Sequence, residues 1–317
     1  MVEELLEKKI AQENDGAICV FVPKNKVPLI VRKSDGGFNY DTTDMAALRY
    51  RVNELKANRI IYVTDVGQEF HFKLVFAGGN VAGFYDPKHV RLDHMAFGMV
   101  LQENEEGQAT KIKTREGKST KLAELLDEAK ARALKIFEER QQNQQEGQQK
   151  MQVDPEELEK TAEILGLSSV KYFDLRQNRV QNYVFSFDKM LDPKGNTGVY
   201  LLYMYVRICS IIAKSKYNIG DLKTDESGFV LTNNSEKELA LTILRLPEQL
   251  DLALGNLQLN CVCDLLYEIA VKIGEFYNES KVIDSPEEKS RVLLLEATRK
   301  VMAQTFDLLG MKTIEKI

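Results

Sequence analysis

The feature that most constrains the fold is a short segment, Arg59–Asp65, with a continuous apolar centre at Ile60–Val63, between two segments with helical periodicity. Runs of this length are typical of strands buried on both faces of a parallel sheet. A helical pattern precedes the run, from Thr43 to about Ala57, and a second helix is predicted after the turn at Val66–Gly67. This alternation predicts a doubly wound α/β sheet, whose ligand lies at the carboxyl ends of the strands.

Other elements of the first 110 residues fit this interpretation. Two further apolar runs, Ala17–Val22 and Leu29–Arg32, are predicted to be buried strands. The helix after Gly67 should present one apolar face, and that face carries Phe70, Leu74 and Val75. Gln68 lies at the start of this helix, where a polar residue is often only part of the first turn.

A polar turn precedes the first of the two helices. Gly36–Gly37 allows backbone to approach a ligand without a Cβ in the way. Tyr40 follows, Thr42 or Thr43 can cap the helix, and Asp44 is expected in its first turn. From the residues alone, the segment fits a capped helix as well as a ligand-binding turn.

The second part of the chain is predicted to be helical. Asp154–Pro155 and Ser285–Pro286 each have a capping residue followed by proline and two glutamates, the pattern of a helix start. The apolar stripe on 122–133 and several later segments have helical spacing, so we predict a helical bundle. The later segments are Gly198–Lys214, Glu236–Leu254 with a kink at Pro247, and Leu257–Tyr277.

Within this bundle, Tyr200, Tyr203 and Arg207 occupy positions i, i+3 and i+7 of one helix. They therefore share a face. A tyrosine stripe at this spacing is usually part of a core, but aromatic rings and an arginine can also stack and bond unpaired nucleic-acid bases. The spacing alone leaves both alternatives open.

Composition limits the functional classes. The chain has 317 residues and a net charge of −5, which excludes a globally basic nucleic-acid binder, so any RNA contact must come from local patches. The four cysteines lie in apolar stretches without CxxC spacing, and we interpret them as reduced core thiols. The three histidines show no metal-ligand spacing with one another.

One local patch is basic. Between Gly107 and Lys121 the chain carries five lysines and arginines, including Lys113 and Arg115, against the single acid Glu116. The segment lacks the GxxxxGK[ST] pattern of a Walker loop. It can be a solvated surface, or a mobile set of cations that closes over phosphates.

Five segments together resemble the arginyl-tRNA synthetase family of class I aminoacyl-tRNA synthetases. Lys33–Asp44 is similar to its KSDGG-x-x-Y-x-TTD segment, and Thr64–Phe72 to its TD-x-x-Q-x-x-HF segment. His94–Leu101 resembles its H-V-x-F-G-x-V-L strand, with Met95 in place of valine, and Lys113–Gly117 its K-T-R-x-G form of the KMSK loop. Tyr200–Arg207 is similar to the Y-L-x-Y-x-x-x-R pattern of its anticodon-binding domain.

The resemblance implies an α/β catalytic part followed by a helical anticodon-binding domain. It implies the second half of a Rossmann-like catalytic domain over residues 1–140. The segment Gln141–Gln152 has seven glutamines and almost no apolar residue, which predicts a solvated linker or a frayed helix, so we take 141–153 as a Gln-rich linker. An all-α anticodon-binding bundle is implied over 154–317.

The resemblance also implies substrates and site residues. The expected partners are arginine, ATP with Mg²⁺, and tRNA(Arg). The residues expected to bind arginine are Tyr40, Asp44 and Gln68. Those expected beside the adenine of ATP are His94, Met95, Phe97 and Gly98. The cations expected to act on the phosphates are Lys113 and Arg115, and the residues expected to bind tRNA are Tyr200, Tyr203, Arg207 and Tyr277.

One family motif is absent from this sequence. A class I synthetase carries a His-x-Gly-His string in its first half-sheet, and these residues contain none. We therefore expect a C-terminal fragment of a cytoplasmic arginine–tRNA ligase that does not charge tRNA by itself. The alternative is a non-catalytic RNA-binding or scaffolding paralogue that lost the first half-sheet.

Overall fold

The computed structural model describes residues 1–104, 106–111, 121–142, 154–222 and 230–314. The chain divides into two compact units, Met1–Met99 and Val100–Ile317. The predicted boundaries at residues 140 and 153 stay predictions. None of the described helices is long and apolar enough to cross a lipid bilayer.

The first unit mixes strands and helices in an order close to the predicted one. Its elements are α1 (Val2–Glu7), β1 (Ala11–Asn14), β2 (Ala17–Val20), β3 (Leu29–Arg32), α2 (Tyr40–Asn53), β4 (Arg59–Asp65), α3 (Glu69–Val81) and β5 (Arg91–Phe97).

The strands of the first unit form two separate sheets. β4 and β5 are parallel and in register from Arg59 opposite Arg91 to Asp65 opposite Phe97, with α3 as the crossover. β1, β2 and β3 form an antiparallel sheet. The predicted strands at 17–22 and 29–32 are thus confirmed, but they do not join the parallel pair. Their connection is too short for a parallel crossover, which needs about a dozen residues or more.

Burial of β4 differs from the expectation. Ile60 and Tyr62 are buried, whereas Ile61 and Val63 are 41% and 59% exposed. The strand is therefore buried on one face in this structure, because its inward residues pack with Leu48 of α2 and Phe72 of α3. Likewise Leu74 and Val75 are buried on α3, but Phe70 is 54% exposed.

Two glycines allow α3 to pack closely on its neighbours. A Cβ on Gly78 would lie 2.7 Å from Leu29 Cδ2, and one on Gly79 would lie 2.4 Å from Leu48 Cδ2. Both distances are shorter than real carbon–carbon contacts, so larger residues would push the helix away. The glycine pair sets the spacing of α3 from α2 and β3.

The start of α2 corrects the predicted cap. Asn39 is the N-cap residue, because its side chain accepts a hydrogen bond from Thr42 N at 3.2 Å. Thr42 is instead buried, and its hydroxyl donates to the Val31 carbonyl at 2.8 Å, which ties α2 to β3. Neither Thr42 nor Thr43 is therefore the N-cap. The Thr42 hydroxyl is engaged by β3, and the cap is the residue three positions earlier, Asn39.

The second unit is mostly helical. Its elements are β6 (Val100–Glu103), β7 (Ala109–Lys111), α4 (Leu122–Gln142), α5 (Pro155–Leu175), β8 (Tyr183–Val184), α6 (Phe187–Met190), α7 (Gly198–Lys214), α8 (Asn234–Ile243), α9 (Leu246–Asn256), α10 (Asn260–Glu279) and α11 (Glu288–Leu308).

The helix predictions hold, with shifted ends. Asp154 caps α5 as expected, whereas α11 begins at Glu288 without a capping side chain, so the predicted start at Ser285 is wrong. Ser285 donates its hydroxyl to the Val282 carbonyl within a turn instead. The predicted kink at Pro247 is a break between α8 and α9, because proline is accepted in a first helical turn.

Small residues and thiols complete the core of this unit. Ala129 and Ala133 of α4 are fully buried, and Gly166 of α5 approaches the α4 backbone closely. Cys263 of α10 is buried in this core, Cys19 is buried in the first unit, and all four cysteines of the chain are free thiols. Burial raises the pKa of the Cys263 thiol to about 12, so it stays protonated at neutral pH.

A buried ion pair joins α8 and α11. Arg291 Nε lies 2.7 Å from Glu236 Oε1, and Glu236 is 1% exposed. Burial by itself raises the pKa of Glu236, but the Arg291 guanidinium and the backbone N–H groups of Thr232 and Asn233 outweigh burial. The pKa of Glu236 is therefore below its usual value. Arg291 also donates to the Lys281 carbonyl at 2.7 Å.

We predict that Glu236→Gln destabilises the protein by about 3 kcal/mol, because it leaves the Arg291 charge buried without its main counter-ion. A depressed carboxyl pKa stabilises the fold above the unfolded-state value, about 4.3 for glutamate, and this contribution is lost as pH falls through the folded-state value. The variant should therefore lose less stability than the parent as pH falls below about 4.3. Urea unfolding at several pH values measures both effects.

The matched control is Glu268→Gln. Glu268 pairs with Arg245 at 2.7 Å, but both side chains are 40% or more exposed. Exposed pairs contribute about 0–1 kcal/mol. Equal losses in the two variants would contradict a special role for the buried pair.

Candidate functional site

The predicted site residues of the first unit collect at one edge of the parallel pair. Asp65 and Phe97 end β4 and β5 opposite each other. Gln68 follows β4 and Gly98 follows β5 directly. The carboxyl ends of the strands therefore meet, as the doubly wound pattern predicts.

Gln68 is held by the turn that follows β4. Asp65 Oδ1 accepts from Gly67 N at 2.9 Å, and Asp65 Oδ2 accepts from Gln68 Nε2 at 3.1 Å. The Gln68 side chain is exposed. Its amide is thus oriented by a local hydrogen bond, with its carbonyl oxygen outside that bond.

Asp44 takes part in a cluster with His71 and Asp41 that no sequence pattern predicted. Its Oδ2 lies 2.6 Å from His71 Nε2, and the other ring nitrogen, Nδ1, lies 3.0 Å from Asp41 Oδ1. Asp41 and Asp44 are one turn apart on α2, and His71 is on α3. The available signal was the histidine inside the Thr64–Phe72 motif, for which no role was assigned.

Tyr40 is the least constrained of the predicted arginine-binding residues. It is the first residue of α2, one helical turn before Asp44. Its side chain is 84% exposed. The structure therefore brings Tyr40 and Asp44 onto one side of α2 without a contact between them.

The predicted adenine-binding segment forms the end of β5. His94 Nε2 lies 2.8 Å from Thr64 Oγ1, and its ring centroid lies 5.0 Å from that of Phe72. Met95 and Gly98 are half-buried, and Phe97 is 43% exposed. An exposed apolar ring at a strand edge can pack on a flat base, so the geometry is compatible with the expected role.

Lys113 and Arg115 lie outside the described residues. In the parts that the structure does describe, no group of three or more His, Cys, Asp or Glu side chains is arranged to hold a metal ion.

The predicted tRNA-binding residues form a surface on α7 and α10. Tyr203 and Tyr277 are 46% and 40% exposed, and the Arg207 guanidinium carbon lies 3.5 Å from the centroid of the Tyr277 ring. The interaction with Arg207 lowers the pKa of Tyr277. Tyr200 is more buried and packs edge-on against Tyr267 at 6.1 Å. We call Tyr203, Arg207 and Tyr277 the aromatic surface.

Two family profiles match the chain. Residues 1–187 match the family described as "tRNA synthetases class I (R), catalytic domain", and residues 201–317 match the "DALR anticodon binding domain".

Named relatives agree with these matches. The chain is 44% identical over 320 residues to a chloroplastic/mitochondrial arginine–tRNA ligase of Arabidopsis thaliana and 41% identical over 327 residues to a cytoplasmic one of Gallus gallus. Both alignments cover 100% of this chain and 48% of the relative, so the chain spans about half the length of these relatives.

Solved structures extend the comparison to three dimensions. The arginyl-tRNA synthetase of Plasmodium falciparum matches with a TM-score of 0.85 at 38% identity, over 100% of this chain and 52% of that one. The Thermus thermophilus arginyl-tRNA synthetase matches with a TM-score of 0.81 at 21% identity, over 100% of this chain and 57% of that one, which indicates a shared fold.

The aromatic surface predicts separable effects on binding and stability. Tyr203→Ala should cost about 1–3 kcal/mol of tRNA(Arg) affinity if a base stacks on the ring. It should leave the melting temperature nearly unchanged, because the ring is half exposed. Tyr203→Phe should retain most of the affinity. Filter binding at two salt concentrations beside a thermal melt tests both effects.

Tyr50→Ala is the control, since Tyr50 is 55% exposed and lies on α2 of the other unit. Arg207→Ala reports the type of contact, because loss of a phosphate contact lowers the salt slope by about one unit. Normal tRNA affinity in Tyr203→Ala and Tyr277→Ala would remove the aromatic surface from tRNA recognition.

Proposed function

The chain belongs to the arginyl-tRNA synthetase family of class I aminoacyl-tRNA synthetases, and we propose that it acts in arginine–tRNA ligation. The reaction activates arginine with ATP and transfers it to tRNA(Arg). The observation that carries this proposal is a partly buried carboxylate, Asp44, which lies 2.6 Å from His71 on α3, the helix that follows the carboxyl end of β4. A cytoplasmic location is part of the proposal, and the Gallus gallus relative supports it.

Asp44 is proposed to bind the guanidinium of arginine. A guanidinium presents its N–H groups in a rigid fork that suits a carboxylate. Among the described residues, Asp44 Oδ2 contacts His71, and Oδ1 has no hydrogen-bond partner. Tyr40, one turn away, and Gln68 are proposed to complete the pocket with a hydroxyl and an amide.

His94, Met95, Phe97 and Gly98 are proposed to bind the adenine of ATP. In the first step, a carboxylate oxygen of arginine attacks the α-phosphorus, and the bond to the bridging oxygen breaks. This gives arginyl-adenylate and pyrophosphate. In the second step, the terminal ribose hydroxyl of tRNA attacks the arginyl carbonyl, and AMP leaves.

During the first step, negative charge builds up on the pyrophosphate as it leaves the α-phosphorus of ATP. Lys113 and Arg115 are proposed to neutralise this charge, which favours the transition state over the bound substrates. Mg²⁺ is proposed to arrive with ATP, held by the phosphates. The donors present among the described residues do not form a metal site, so no step is assigned to a protein-bound ion.

We predict that Asp44→Asn raises the KM for arginine by roughly 10²-fold, because the substrate cation would be desolvated beside a neutral amide. The KM for ATP should be nearly unchanged. Aminoacylation kinetics of the complete polypeptide encoded by the gene, at varied arginine and then varied ATP, measure the two constants.

Asp15→Asn provides the control, since Asp15 lies in the exposed β1–β2 turn at φ 50°, a conformation that asparagine accepts. An arginine KM in Asp44→Asn equal to that of the control would remove Asp44 from the pocket.

Lys113→Ala and Arg115→Ala should each lower kcat for activation more than they raise either KM, because they act on developing charge. Single-turnover formation of arginyl-adenylate measures the step. Lys135→Ala is the control, because Lys135 lies on α4 outside the basic segment and its side chain is 75% exposed. If Lys113→Ala and Arg115→Ala react at the rate of this control, the basic segment is a solvated surface only.

A further inference from the structure

We propose that His71 is a positioning residue for arginine recognition, which fixes the Asp44 carboxylate and is itself fixed by Asp41. This inference rests on the proposed function, since it concerns the same pocket. His71 lies on α3 and the two carboxylates lie on α2, so the contact joins two elements that are 27 and 30 residues apart in sequence.

The three side chains form a partly buried chain of contacts. Their exposed fractions are 22% for His71, 23% for Asp41 and 30% for Asp44. Asp41 is in turn held by the capping residue, since Asn39 Nδ2 donates to Asp41 Oδ2 at 3.3 Å. The edge of the His71 ring also packs against Phe72, with 4.9 Å between centroids. The imidazole is therefore oriented from three sides.

The chemistry of the ring explains why both carboxylates are needed. Each ring nitrogen faces a carboxylate oxygen, and an ionised carboxylate can only accept. Each carboxylate therefore offers an acceptor to one nitrogen of the ring, so the imidazole is held between Asp41 and Asp44.

A held carboxylate improves arginine binding in two ways. The Asp44 rotamer is fixed before the substrate arrives, so less side-chain entropy is lost on binding. The contact also leaves Oδ1 available, because only Oδ2 is engaged by His71.

The backbone keeps this geometry in place. A Cβ on Gly79 would clash with Leu48, so α3 packs against α2 at the distance that only glycine allows. Leu48 lies one turn after Asp44 on the same helix. The short distance between α2 and α3 therefore brings His71 within reach of Asp44.

Two amide substitutions separate the two nitrogens of the ring. A glutamine amide nitrogen falls near the position of Nε2, and an asparagine amide nitrogen falls near Nδ1. His71→Gln therefore keeps a donor for Asp44, whereas His71→Asn keeps one only for Asp41. We expect the arginine KM to rise about tenfold in His71→Asn, the loss of a hydrogen bond to a charged group. The rise in His71→Gln should be clearly smaller.

The experiment uses the complete polypeptide and measures KM for arginine, KM for ATP and kcat. The loss should fall on the arginine KM, with little change in kcat or in the ATP constant. The matched controls are His89→Asn and His89→Gln, since His89 is 79% exposed and lies in the loop before β5. Both controls should behave like the parent.

Asp41→Asn tests the contact on the other side of the ring. It keeps the shape of the side chain, so it can be used if the histidine variants melt early. It should also raise the arginine KM, because the imidazole loses its second charged partner. Equal arginine constants in His71→Asn, His71→Gln and the parent, with Asp44→Asn still impaired, would overturn the role of His71 alone. An unimpaired Asp44→Asn would overturn the proposed pocket itself.

Discussion

The first unit depends on the close packing of α3 against α2 and β3. Gly78 and Gly79 meet Leu29 and Leu48 at distances that exclude any side chain on the helix. In a close-packed interior a change of even one methylene is felt, so this contact constrains the position of the helix. Because α2 carries the acidic residues and α3 carries His71, the same packing determines which polar groups can meet at the edge of the sheet.

In the second unit, the buried groups and the candidate recognition groups lie on different faces of the same helices. On α7, Leu201, Leu202 and Ile208 are fully buried, while Tyr203 is half exposed. The large apolar core and the Glu236–Arg291 pair hold the helices rigidly. A side chain on a rigid helix keeps its position even where few neighbours pack against it. An exposed aromatic ring must keep its position in this way if a base is to stack on it.

Some features were predictable because they depend on local sequence. The parallel β4–α3–β5 unit follows from a continuous apolar run and the helical pattern after it, and Asp154 with Pro155 identifies the start of α5. Other features depend on distant residues. Thr42 was a plausible cap until the structure placed the Val31 carbonyl within reach of its hydroxyl. The direction of β3 depended on the length of its connection to β2.

The sequence by itself determined the family, the succession of an α/β part and a helical part, and the set of polar residues near the strand ends. Hydrophobic periodicity and extended motifs are local properties, so a linear reading recovers them. Only the tertiary structure decided that His71 joins Asp41 to Asp44, and that Arg207 stacks on Tyr277. These contacts link residues tens of positions apart, and their distances depend on how closely helices pack, which no local pattern encodes.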